Sequence, residues 1–153
     1  MANQPDAGGL CLYEFGSEPW LAAYQGVMSA CVAIAALDEP GLAFSFCELS
    51  TDPPAHLGSA RNPCGFHCFV SGGSLVRFGQ GDAGGVDYKV IGRYGLMAEL
   101  CKRQTGGSAD QARAYRARSR AAWQAGEIRV EGEALRLPRV FGFVHDIVAR
   151  MTR

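Results

Sequence analysis

The chain has 153 residues, of which 48% are hydrophobic and 20% charged, and its formal net charge is zero. That length fits one domain able to bury roughly two thirds of the surface its unfolded form exposes, and the composition excludes a disordered chain. The longest apolar-leaning stretch, Val27 to Leu37, is far shorter than the ~20 residues a membrane-spanning helix needs. The opening Met1 to Asp6 carries neither the basic start nor the apolar run of a secretory signal. The expectation is a cytoplasmic protein with no stable membrane insertion.

Charge is unevenly distributed. Residues 1–100 hold 4 Lys and Arg against 10 Asp and Glu, whereas residues 101–153 hold 11 against 5. Arg113, Arg116, Arg118 and Arg120 form much of the basic excess. Without an aromatic platform or a recognition motif beside them, they read as a solvated helix face, and no nucleic-acid partner is expected. Cysteines stand at positions 11, 31, 47, 64, 68 and 101. In a cytoplasmic chain with its own core they read as reduced thiols that pack as small hydrophobes. Cys64-Gly65-Phe66-His67-Cys68 resembles a metal-ligand cluster but lacks the second, spaced pair of a structural zinc site, so neither metal nor cofactor is expected.

The first eleven residues are small and polar and read as a flexible tail. Ser17 is a good N-cap, Glu18 suits the positive end of a helix, and Pro19 is tolerated in a first turn. Trp20, Tyr24, Val27, Cys31 and Ile34 follow at helical spacing, and Asp38 to Gly41 ends the helix. Leu42 to Leu49 alternates as a strand, with Leu42, Phe44 and Phe46 on one face. The Pro-rich stretch from Ser50 to Pro63 is a loop long enough to serve as a lid or cavity rim.

Gly65 to Val70 and Leu75 to Phe78 read as a hairpin around Ser71-Gly72-Gly73-Ser74, and Val86 to Ile91 as a fourth strand. Tyr94, Met97, Leu100 and Cys101 mark a short helix. After Gly106-Gly107, Ser108 caps another helix from Ala109 to Gln124, with Ala112, Tyr115, Ser119, Ala122 and Trp123 on one face. Ile128 to Glu131 is a fifth strand, and a helix rich in Val140, Phe141, Val144, Ile147, Val148 and Met151 closes the chain. Helix, four strands, two helices, strand, helix is an α+β order. It predicts a mixed, mostly antiparallel five-stranded curved sheet covered by helices, with the first four strands as a meander and the fifth on an edge.

Three segments carry a family resemblance. Phe15-Gly16-Ser17-Glu18-Pro19-Trp20-Leu21 is similar to a Phe-Gly/Ala-Ser segment that precedes a Trp on a first helix. Asp87-Tyr88-Lys89-Val90-Ile91-Gly92 resembles a strand that carries an acidic residue and leads into a short helix. Ala125 to Glu133, followed by Leu135 and Leu137, is similar to a late Gly-x-Ile-x-Val-x-Gly-Asp segment, with Glu133 where Asp is usual. In this order and spacing they resemble the sterol carrier protein 2 family, chiefly its small bacterial members. The resemblance implies one sterol-carrier-like domain over residues 12–153, with an internal apolar tunnel for a lipid-like ligand.

A binding site of this kind needs apolar walls and a few polar groups that orient the ligand. Phe44, Phe46, Phe66, Phe78, Val90, Phe141 and Phe143 are the candidate ligand-binding residues, with Val70, Val76, Ile128 and Val144 as further walls. No nucleophile elbow, phosphate loop or dinucleotide fingerprint is present. The expected function is carriage or binding of a hydrophobic lipid, steroid or polyketide-like molecule. The alternative is a cofactor-free isomerase, dehydratase or cyclase using His67 and Glu48 as acid/base residues. His56, His145, Asp52 and Asp87 are weaker candidates. Glu48 continues the Leu42, Phe44 and Phe46 face, where a carboxyl either meets water or has a raised pKa and a task. The oligomeric state, a dimer included, stays open.

Overall fold

The computed structural model of the protein describes residues 12–58, 64–133 and 138–153. The tail at 1–11, part of the loop read as a lid (59–63) and Leu135 and Leu137 lie outside the described residues. Helix α1 spans Glu18–Ala35, strand β1 Phe44–Thr51, β2 Cys64–Ser71, β3 Ser74–Gln80 and β4 Tyr88–Arg93. Helices α2 (Tyr94–Cys101) and α3 (Ala109–Gln124), strand β5 (Ile128–Gly132) and helix α4 (Arg139–Met151) complete the order that the sequence predicts.

The sheet order is β3-β2-β1-β4-β5. The meander expectation therefore needs correction after β3: β4 leaves the hairpin, crosses to the far side of β1 and pairs with it in parallel, while the other three pairings are antiparallel. A side-chain clamp explains the placement. Ser45 donates from both its backbone N–H and its hydroxyl to Asp87 Oδ2, each at 2.8 Å, and the Asp87 N–H donates back to Ser45 Oγ at 2.9 Å. The pair stands one rung before the first Cα partners of the parallel ladder, Phe46 and Tyr88.

β5 then adds to β4 as an edge, as expected. The β2–β3 hairpin turns through Gly72 and Gly73 at φ 59° and 71°, a region open to glycine at little cost. A Cβ on Gly73 would run into Ala36, so the turn tucks under the end of α1.

Alternation divides the sheet. Phe44 and Phe46 on β1 and Phe66, Cys68 and Val70 on β2 face a core completed by α1 and α4, through Trp20, Tyr24, Met28, Val32, Val140, Val144 and Val148. A second cluster of Leu96, Leu100, Ala122 and Ile128 joins α2, α3 and β5. On the opposite face Arg77 lies over the Phe69 ring at 3.9 Å, a cation–π contact on partly exposed surface. The helices thus lie on one side of the sheet.

The helix stripes differ from the reading at Ile34 of α1, Trp123 of α3 and Ile147 of α4, each of which is exposed. α1 buries Trp20, Leu21, Tyr24, Met28 and Val32, leaving Cys31 half-buried and Ile34 exposed. Steps of four from Trp20 through Tyr24 and Met28 to Val32 keep to one face of a 3.6-residue helix, whereas Ile34 has rotated off it. Ser17 caps α1 by accepting from the Trp20 N–H at 3.4 Å, and Ser108 caps α3 by accepting from the Gln111 N–H at 3.1 Å. The two ends of the described chain meet, because Tyr13 N–H donates to Met151 O at 2.7 Å and Trp20 Nε1 donates to Thr152 Oγ1 at 2.9 Å.

Removing the clamp tests the topology. Asp87→Ala leaves the buried Ser45 N–H and hydroxyl without their acceptor, an expected loss of about 2–3 kcal/mol. It should lower the urea midpoint with little change in slope. An unchanged midpoint would show that the β1–β4 pairing does not depend on the clamp.

Candidate functional site

A cavity of about 690 Å³ lies between the helix-facing side of β1, β4 and β5 and the helices. Trp20 and Tyr24 of α1 reach it from one side, and Met97, Leu100 and Cys101 of α2 from another. Tyr88 and Val90 of β4 and Ile128 and Val130 of β5 form the sheet wall. α3 contributes Tyr115, Ser119, Arg120, Trp123 and Gln124, and α4 contributes Phe141, His145 and Val148. The size falls in the range of small-molecule sites, and the walls are mostly apolar with a few polar groups.

The most unusual wall residue is Glu48. Strand alternation points it the same way as Phe44 and Phe46, and register places it beside Phe66 on β2 and Val90 on β4, with Val130 of β5 next in the row. A carboxyl therefore occupies the middle of the cross-strand row Gln80, Phe66, Glu48, Val90 and Val130, with an apolar neighbour on either side. No described residue donates a hydrogen bond to it, and burial pushes its pKa from 4.5 to about 7. This carboxyl is half-buried and faces the cavity.

The groups around it are held uncharged. Burial first, and the Glu48 charge second, push Tyr88, Tyr115 and Cys101 up to about 12, and Tyr24 well above its ordinary value for the same two reasons. Burial likewise lowers His145 from its ordinary 6.5. Its Nε2 lies 2.9 Å from the Arg103 carbonyl, which fixes that nitrogen as the donor, and its ring meets Tyr115 edge-on at 5.2 Å. The neighbouring Asp146 turns away and accepts from the Thr105 N–H and hydroxyl and from the Gly106 N–H, so the two adjacent residues serve different sites.

The structure separates the two acid/base candidates. Glu48 faces the cavity, whereas His67 projects from the opposite face of the sheet, with Nδ1 3.1 Å from the Gly81 carbonyl and its ring against Gly79. The same alternation turns Cys64 and Cys68 inward and His67 outward, so the three do not converge. Among the described residues no group of three His, Cys, Asp or Glu is placed to hold a metal ion. His56 pairs with Glu14 at 3.0 Å on the surface. Asp52 is an exposed turn residue at φ 53°, and Asp87 is taken up by its clamp to Ser45.

Of the candidate ligand-binding residues, Val90 and Phe141 line the cavity. Phe44, Phe46, Phe66 and Phe78 belong to the adjoining aromatic core, in which Phe46 meets Phe141 edge-on at 4.8 Å. Phe143 is 66% exposed and lines a separate groove between α1 and α4. Residues two apart on a helix point in nearly opposite directions, which is why Phe141 and Phe143 part company. Helical spacing could also have drawn His145 to the cavity, since it stands four residues after Phe141. The same spacing groups Tyr115 and Ser119 on one face of α3 but gives no sign that this face borders a cavity.

The raised carboxyl fixes the sign of a pH effect. Between 4.5 and about 7 the folded chain holds a proton at Glu48 that the unfolded chain has released, so stability falls as pH rises through that window and levels off above it. Linkage sets a ceiling of about 3 kcal/mol. Glu48→Gln is expected to be more stable than the native chain at pH 8, with the advantage shrinking towards pH 5, as read from urea midpoints. His145 titrates in both proteins and drops out of the difference. An advantage independent of pH would contradict the assignment.

No family model matches the chain, and no curated protein matches it. Solved structures do. A crystal structure of sterol carrier protein 2 aligns over 92% of this chain and 100% of its own, with a TM-score of 0.53 at 15% identity. A conserved hypothetical protein from Thermus thermophilus, suggested to be a sterol carrier protein, aligns over 94% of this chain and 92% of its own, with a TM-score of 0.50 at 10% identity. The chain has the α+β fold of sterol carrier protein 2.

Proposed function

We propose that the protein binds a hydrophobic small molecule in this cavity and acts as its carrier or binding protein. The observation that carries the reading is the 690 Å³ space walled by Trp20, Val90, Met97, Leu100, Ile128, Phe141 and Val148, inside a fold shared with sterol carrier protein 2. Such walls favour an apolar ligand by taking its surface out of water, and they do not by themselves choose among lipid, steroid and polyketide-like bodies. Among the described residues no helix is long and apolar enough to cross a membrane.

Native mass spectrometry with organic extraction tests this directly. An apolar molecule is expected to co-purify, or a pyrene-labelled long-chain alcohol to be taken up by the empty protein. Val90→Trp, which places a large ring in the middle of the sheet wall, should abolish that uptake while leaving the circular dichroism spectrum intact. An empty native protein that takes up no apolar probe would overturn the proposal.

One observation favours a second reading, cofactor-free acid/base catalysis. A carboxyl held at about 7 has the proton affinity that general acid/base chemistry at neutral pH requires, and it faces the ligand space. Glu48→Gln separates the two. A carrier would keep its affinity for the pyrene-labelled alcohol within a few-fold, whereas an enzyme would lose about a hundredfold or more in turnover. On this reading Glu48 is the acid/base residue, and His67, on the far face of the sheet, takes no part.

A further inference from the structure

We infer that Glu48 sets the ligand's head-group chemistry: the cavity takes an apolar molecule carrying a hydrogen-bond donor, such as a hydroxyl, and discriminates against carboxylates. The inference rests on the binding proposal above and adds the class of ligand. Its basis is geometric. Glu48 stands between Phe66 and Val90 in the row Gln80, Phe66, Glu48, Val90 and Val130, faces the cavity, and receives no hydrogen bond from the described residues.

A wholly apolar ligand in this space would strip the carboxyl of its remaining solvent and offer nothing in return, which costs binding energy. A ligand hydroxyl beside it restores the missing partner, and a hydrogen bond to a charged acceptor is among the stronger kind. A carboxylate ligand would bring a second negative charge into the same low-dielectric space, where one of the two must take up a proton.

The other titratable and charged groups on the walls do not reverse this preference. They are Tyr24 on α1, Tyr88 on β4, Cys101 on α2, Tyr115 and Arg120 on α3, and His145 on α4. The tyrosines and the thiol stay protonated and neutral at neutral pH, and His145 is held neutral by burial. Arg120, the one permanent cation among them, is exposed, so solvent screens its pull on an anion.

Three matched probes test the inference: dodecanol, its methyl ether and dodecanoate, each displacing the pyrene-labelled alcohol from the full chain at pH 8. The alcohol is expected to bind at least about tenfold more tightly than the ether, and the ether more tightly than dodecanoate. Glu48→Leu should erase the alcohol preference while still binding the ether, which also shows that the variant folds and keeps its cavity. Glu48→Gln keeps an acceptor but loses the charge, so it should retain a preference for the alcohol and gain affinity for dodecanoate. Lowering the pH to 5.5 should narrow the penalty on dodecanoate in the native chain more than in Glu48→Gln. Equal affinity for alcohol and ether, or tight dodecanoate binding at pH 8 by the native chain, would overturn this inference and leave the cavity proposal standing. Failure of all three probes to displace the bound pyrene-labelled alcohol would overturn this inference alone, whereas failure of the pyrene-labelled alcohol itself to bind would overturn both.

Discussion

The architecture turns on how β4 finds β1. Asp87 and Ser45 exchange three hydrogen bonds at the start of the parallel ladder, and each satisfies polar groups that the sheet would otherwise bury alone. That clamp puts β1 in the centre of the sheet, makes β3 one edge and lets β5 form the other. It also fixes register. Slipping the pairing by one residue would turn Tyr88 and Val90 to the outer face and bring Lys89 and Ile91 inward. The alignment of Glu48 with Val90 and then Val130 follows from the same constraint.

A central strand ordinarily carries apolar residues towards a helix layer, because both its neighbours and the covering helices exclude water. Glu48 breaks that rule, and the helices accommodate the break by leaving a cavity over it. α1 and α4 press closely on β1 and β2, through Trp20, Tyr24, Val144 and Val148 against Phe46 and Phe66. α2 and α3 meet β4 and β5 through a smaller cluster of Leu96, Leu100, Ala122 and Ile128. The cavity opens where the two clusters adjoin, and Glu48 lies at that boundary. An ionisable group that destabilises the fold at neutral pH is a familiar mark of function, because the folded chain gains nothing from it while the site is empty.

The order of elements, the helix caps and the faces of the strands were readable because each rests on local chemistry: Ser17 and Ser108 as caps, Gly72 and Gly73 at a turn, alternation from Phe44 to Glu48. The crossing of β4 was not, since parallel pairing depends on a contact between Ser45 and Asp87, 42 positions apart. Alternation put Glu48 on the inner face, but whether that face ended in water or in a cavity depended on how helices from three other parts of the chain would pack. His67 shows the limit in reverse. As an ionisable residue in a strand it is an acid/base candidate by sequence, yet its parity places it on the opposite side of the sheet from the cavity. Phe143 misled for a related reason, because its neighbour Phe141 faces inward and two helical positions suffice to turn a ring to the surface.

The central claim is that a carboxyl without a hydrogen-bond partner among the described residues faces the cavity from the middle of the sheet. Its most direct test is a ¹³C titration of the side-chain carboxyls by nuclear magnetic resonance, with the Glu48 signal identified by its disappearance in Glu48→Gln. That signal is expected to titrate at about 7 in the empty protein, raised by burial of the carboxyl. A Glu48 carboxyl that titrates near 4.5, its ordinary value, would mean that water or a cation reaches it freely and would contradict a carboxyl set in a low-dielectric cavity.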